Sequence, residues 1–221
     1  MTFRFGVVVL SAFGMAGLSA GAAEAQEGFY PTEYGTVEYS VEGMQSGTTT
    51  RYWRDWGREQ AEYQDLALSI SGITQETKTW TITTPETVTN IDLTTNQGTQ
   101  IANPMANAYN MSEEELENFN QTMMQNMGGQ LVGTDTIAGQ DCEVWDLGMT
   151  GGSMCVWEGV PLANDAGGGM LTMTAVSIDT DTPVDEIHFT VPDDVTFTTP
   201  GAGTGDVPSL EDLMQSLGQT E

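Results

Sequence analysis

From Gly35 onward, apolar and polar residues alternate in short runs. Val37, Tyr39 and Val41 alternate with Glu38, Ser40 and Glu42, the pattern of a strand with one buried and one wet face. Gln45-Ser46-Gly47 reads as a turn, and a second strand, Thr48 to Trp56, is rich in Thr and aromatics. Arg58 to Leu68, Lys78 to Ile82, Thr87 to Leu93 and Gly98 to Ala102 follow, punctuated by Gly57 and Pro85. Gln130 to Ile137, a hairpin of Asp141 to Leu147 and Ser153 to Glu158, Met170 to Ile178 and Ile187 to Val191 continue the series. Turn signals recur at about 8–12 residues, the rhythm of an antiparallel meander.

Two helices interrupt the strands. Ser112-Glu113-Glu114-Glu115 is a capping box, Leu116, Phe119, Met123 and Met127 share the helix face that follows, and Gly128 stops it, giving a helix over 112–127. The second begins at Pro208-Ser209 with Leu210, Leu213, Met214 and Leu217 on one stripe, after a Gly- and Pro-rich tether. Each helix has one apolar face that needs a partner surface, and a curved sheet supplies one. The expected organisation is an export signal over 1–25, a curved-sheet domain over 26–198, and a tether with a C-terminal amphipathic helix over 199–221.

The start of the chain changes the picture of its compartment. Arg4 precedes an apolar run from Phe5 to Leu18, and Ala23-Glu24-Ala25 fits a signal-peptidase site. That run is short for a membrane span, and no later segment is apolar enough to cross a bilayer, so the mature chain is expected to lack a transmembrane segment. The protein is expected to be periplasmic or secreted. Cys142 and Cys155 are the two cysteines, an even count suited to a disulfide in an oxidising compartment. A tight turn at Gly148-Met149 would set them directly opposite each other. The competing reading, a redox-active or metal-binding pair, lacks a C-x-x-C motif.

Charge removes whole classes of partner. The 221 residues carry 5 Lys and Arg against 32 Asp and Glu, a formal charge of -27, and nothing basic follows Lys78. Nucleic acid is excluded because phosphate contacts need clustered cations. Arg51, Arg54 and Arg58, set among Tyr52, Trp53 and Trp56, are a candidate anion or head-group site. Alternatively they neutralise acids on adjacent strands. Asp179, Asp181, Asp185 and Glu186 offer hard oxygen ligands but lack a calcium-hand loop, so no metal and no cofactor is expected. His188, the single histidine, alternates with Ile187 and Phe189 and reads as a surface residue without a nucleophile motif to serve. The 13 methionines, several near the first helix, fit core filling, an adaptable apolar surface or copper(I) ligation.

The stretch from Gly35 to Gly57, with Ile137-Ala-Gly-Gln-Asp-Cys142-Glu-Val-Trp145 and Cys155-Val-Trp157-Glu-Gly-Val-Pro161-Leu162, resembles exported bacterial proteins related to the periplasmic outer-membrane lipoprotein carriers. The resemblance spans most of residues 35–192 and implies an α+β fold, a strongly curved antiparallel sheet or half-barrel with helices covering its concave face. It implies a non-catalytic carrier that holds acyl chains in the hollow. The expected wall is Val37, Tyr39, Val41, Trp80, Ile82 and Val176, with Leu116, Phe119, Met123 and Met127 as the lid, because a curved sheet encloses more volume than two short helices fill. The alternative is an acidic envelope module with a solid core that binds another protein. A third reading is a hydrolase using a carboxylate pair.

Overall fold

The structure, a computed structural model, describes residues 28–70, 73–126, 128–148, 151–168 and 170–198. The expected export signal, the tether and C-terminal helix, and Met127 lie outside the described residues.

Two meanders form one sheet. β1 (Gly35–Gly43), β2 (Gln45–Arg54), β3 (Glu59–Ile70), β4 (Ile73–Thr83), β5 (Thr87–Asp92) and β6 (Gln97–Ala102) pair in sequence order. One helix, α1 (Glu113–Asn126), then leads to β7 (Gly129–Ile137), β8 (Gln140–Leu147), β9 (Gly152–Trp157), β10 (Val160–Asp165) and β11 (Leu171–Asp179). Pairing of β1 with β11, Val37 opposite Ile178 and Tyr39 opposite Ala175, welds the meanders together. A two-residue β12 (Thr196–Phe197) runs parallel to β6 and completes the twelve strands. In a flat sheet β7 would stand about 19 Å from β11, four strand spacings away. Their Cα atoms come within 8 Å, so this half curls over itself.

The faces decide the packing. Residues opposite one another on neighbouring strands share a face. Unshifted register pairs Tyr39 with Thr49, Thr49 with Gln64 and Gln64 with Thr79 on one face. It pairs Glu38 with Thr50, Thr50 with Tyr63 and Tyr63 with Trp80 on the other. The apolar side of the sheet therefore changes over at β2. On the first face Val37, Tyr39, Trp53, Cys142, Cys155, Val160, Leu162 and Ala175 form a continuous buried cluster inside the curl. Tyr39 crosses it to donate a hydrogen bond from its hydroxyl to the Pro161 carbonyl at 2.9 Å. On the second face Trp80, Ile82 and Ile91 are covered by Tyr63, Val191 and Val195. Val191 and Val195 belong to a strap, residues 183–198, held by Trp80 Nε1 donating to the His188 carbonyl and by Thr198 N donating to the Gly98 carbonyl. Gly98 lets the strap come close: a Cβ there would sit 2.9 Å from the side chains of Val195 and Phe197.

Three expectations are corrected. The fold is essentially all-β, not α+β: α1 is the single α-helix among the described residues, and it packs against the start of β7 instead of covering a sheet face. The capping box does start α1, with Ser112 N and Oγ both bonded to Glu115 Oε2. Residues Glu186–Phe189 form a 3-10 turn instead of a strand, capped by Asp185 Oδ1 accepting from Ile187 N. The cysteines do form a disulfide, with Cα atoms 5.4 Å apart. The hairpin loop is longer than the tight turn expected, however: Leu147 lies opposite Gly152 and Val144 opposite Cys155, so Cys142 bonds diagonally.

Two separate cores make a clear expectation. Leu162→Ala and Ile91→Ala should each destabilise by about 2–5 kcal/mol in urea denaturation, and their effects should add to within about 0.5 kcal/mol. Strong coupling between them would mean one shared interior. Replacing both cysteines by serine should lower stability by about 3 kcal/mol in the same assay.

Candidate functional site

The residues expected to wall one hollow do not share one. Val37, Tyr39 and Val41 are buried on the curled face, whereas Trp80 and Ile82 are buried on the opposite face. Val176 is the extra residue where β11 shifts register against β1, and it is 60% exposed. Leu116 and Phe119 are half-buried, and Met123 is 42% exposed on a helix beside β7, away from both clusters.

The arginines also separate. Arg51 and Arg54, three apart on β2, point to opposite faces. Arg51 is bonded to Glu62 at 2.6 and 2.9 Å and lies 5.8 Å from the Tyr39 ring centroid. Its pKa is raised: burial works against the charge, but Tyr30, Tyr39 and Glu62 hold it. Arg54 pairs with Glu59 at 2.7 Å and lies over the Phe189 ring at 4.6 Å. Arg58 donates to the Tyr109 carbonyl at 2.8 Å, and its Nε is buried without a partner. The three guanidiniums fasten strands, the strap and the 106–110 turn, each in a different place.

A site absent from the expected wall opens where β1, β2 and β11 meet the beginning of the strap. It is a cleft of about 480 Å³ whose walls include Thr36, Glu38, Tyr52, Asp179, Asp185 and His188. Tyr52 and His188 of its lining belong to an aromatic series that continues away from the cleft on β3 and β4. Tyr63 stacks on Trp80 with centroids 4.9 Å apart, Tyr52 meets Tyr63 edge-on at 5.9 Å, and His188 stacks on Tyr52 at 3.9 Å with planes 10° apart. Burial, then the neighbouring Tyr52, pushes the Tyr63 phenol up to about 12. Burial and then Glu38 raise Tyr52. His188 Nδ1 is buried without a partner, and burial lowers the imidazole pKa while Asp185 works the other way. The sole histidine is thus a half-buried residue in the cleft wall, stacked on Tyr52.

Hydrogen bonds fasten the carboxylates of the cleft. Ser177 Oγ donates to Glu38 Oε2 at 2.8 Å. Asp179 Oδ1 accepts from the backbone N–H groups of Asp181 and Thr182, and the Thr182 side chain, followed by these backbone groups, holds the carboxyl below the usual carboxylate range. Asp185 Oδ1 caps the 3-10 turn. Among the described residues, no three His, Cys, Asp or Glu side chains lie close enough to hold a metal ion. Among the same residues, no helix is long and apolar enough to cross a membrane. Sequence reading weighed Asp179 and Asp185 as calcium ligands without adopting them and took His188 for a surface residue, and it missed that they share one cleft with Tyr52 and Glu38. The N-cap residue Asp185, two residues after Pro183, was the available signal for the turn that carries His188.

Comparison with known proteins adds distant likenesses. No protein-family model matches the chain, and no curated protein matches its sequence. The chain is similar to an uncharacterized conserved protein from Thermus thermophilus, with 12% identity and a TM-score of 0.44 over 74% of this chain and 90% of that one. It is similar to MucB, with 11% identity and a TM-score of 0.37 over 74% of this chain and 59% of MucB. It is also similar to a chain of the Pseudomonas aeruginosa MucA/MucB complex, with 12% identity and a TM-score of 0.38 over 75% of this chain and 58% of that one. The chain spans little more than half the length of the MucB chain it matches. Likenesses this distant leave function to be read from the chain's own geometry.

Proposed function

We propose that this is an exported, non-catalytic module of the bacterial envelope that binds another protein through its acidic exterior. One observation carries the reading: both apolar faces of the sheet are filled by the chain's own side chains, inside the curl and beneath the strap. Acyl cargo needs a dry hollow lined by apolar groups, and the curl instead holds Trp53, Tyr39, Leu162 and the disulfide. The cleft at the start of the strap is lined by Glu38, Asp179, Asp185, Tyr52 and His188 beside Ile178 and Val184, a mixed surface that offers carboxylates for polar recognition. Export is supported by the paired cysteines and by the signal-like start of the sequence. The net charge of -27 selects basic or mixed-charge partners and repels nucleic acid and anionic lipid surfaces.

The mature chain, purified from an exporting host, should carry no lipid in native mass spectrometry and should leave a fluorescent fatty-acid probe unenhanced. Affinity isolation from a bacterial envelope extract should recover a protein partner whose retention falls steeply as salt screens surface charge, with a Debye length of about 3 Å at 1 M. Co-purified acyl lipid with salt-insensitive probe binding would overturn the reading in favour of a carrier.

A further inference from the structure

We propose that the cleft beside Tyr52 and His188 receives the guanidinium group of an arginine side chain on a partner polypeptide; the inference rests on the interaction-module reading above. Four observations converge on this. The cleft, at about 480 Å³, falls in the range of sites that enclose small groups. No Lys or Arg lines it, so its carboxylates face no resident cation. Glu38 and Asp185 each hold the fold through one oxygen, which leaves the second oxygen for a ligand, and Asp179 adds a third carboxylate to the lining. Tyr52 and His188, stacked on each other and each met edge-on by Tyr63, bring packed aromatic surface beside these carboxylates.

Guanidinium suits this chemistry better than the alternatives. A divalent ion needs several oxygens converging on one point, and no three acidic groups of the described residues do so. An ammonium group is a compact charge without a stacking face. A guanidinium is planar, carries five donors in a fork and stacks on aromatic rings, so it can engage separated carboxylate oxygens and the wall together. The fastened carboxylates lose little side-chain freedom on binding, which is pre-organisation.

Binding is linked to His188. Tyr52 and Tyr63 face its ring, Asp185 lies on its own turn and Glu38 lines the same cleft. In the free protein His188 should titrate below its ordinary value of about 6.5, because burial disfavours the imidazolium. An arginine cation alongside disfavours it further, so saturation should lower the midpoint again.

The test uses a capped tri-arginine peptide and the full mature chain at physiological salt. NMR should show shifts concentrated at Thr36, Tyr52, Asp179 and His188, and a lower His188 midpoint in the complex. Glu38→Gln with Asp179→Asn, which keeps the internal hydrogen bonds, should weaken binding about tenfold or more. Asp146→Asn with Glu158→Gln, an equal charge change at exposed positions outside the cleft, should alter it by less than about twofold. Equal losses for the two pairs, or an unmoved His188 midpoint on saturation, would overturn the cleft while leaving an acidic binding surface intact. Arginine amide binding as tightly as the peptide would overturn a polypeptide occupant. Failure of the module reading would appear separately, as co-purified lipid and salt-insensitive probe binding.

Discussion

Neighbouring side chains on a strand must point to opposite faces, and at Tyr52 and Trp53 both are aromatic. Everything else in the molecule accommodates that constraint. Trp53 is fully buried in the curl, where its indole N–H donates to the Thr32 carbonyl and Tyr30 meets its ring edge-on at 5.3 Å. Tyr52 looks the other way and begins the aromatic series that carries the strap. A sheet that is apolar on one side for half its width, and on the other side for the rest, needs two covers. It finds one by curling β7–β11 inward and the other by laying residues 183–198 across β3–β6.

The distribution of the few cations follows from the same arrangement. Arg51 lies on the curled face beside Tyr39 and Glu62, and Arg54 lies on the strap face between Glu59 and the Phe189 ring. Each charge holds structure that would otherwise face unpaired acid or open ring surface. The negative charge of the exterior is therefore left without internal balance, and part of it sits at Glu38, Asp179 and Asp185, at the junction of sheet and strap.

Most strands were legible because a half-buried strand writes its period into the sequence, as Val37, Tyr39 and Val41 do. Which face each strand buries was not legible. It depends on counting register through every intervening turn, and a slip of one residue inverts the answer. Trp80 and Val37 looked alike in pattern and lie on opposite sides. β10 went unrecognised because Pro161 reads as a breaker, although it sits beside a register shift where its missing N–H is tolerated. The alternation of Ile187, Phe189 and Val191 imitated a strand, but Asp185 caps a 3-10 turn and Ile187 is 67% exposed. The capping box of α1 is local and was readable; its resting place beside β7 is tertiary and was not. The cleft combines residues from β1, β2, β11 and the strap, so no single stretch of sequence announces it.

The seam between β1 and β11 has a kinetic consequence. Each meander can zip from its own hairpins, but the seam joins segments more than a hundred residues apart, and closing so large a loop is slow on entropic grounds. Until the last long strand is delivered, the outer edge of β1 stays open. A chain built this way cannot close while it is still being made: the first meander waits with an unpaired edge until β11 arrives.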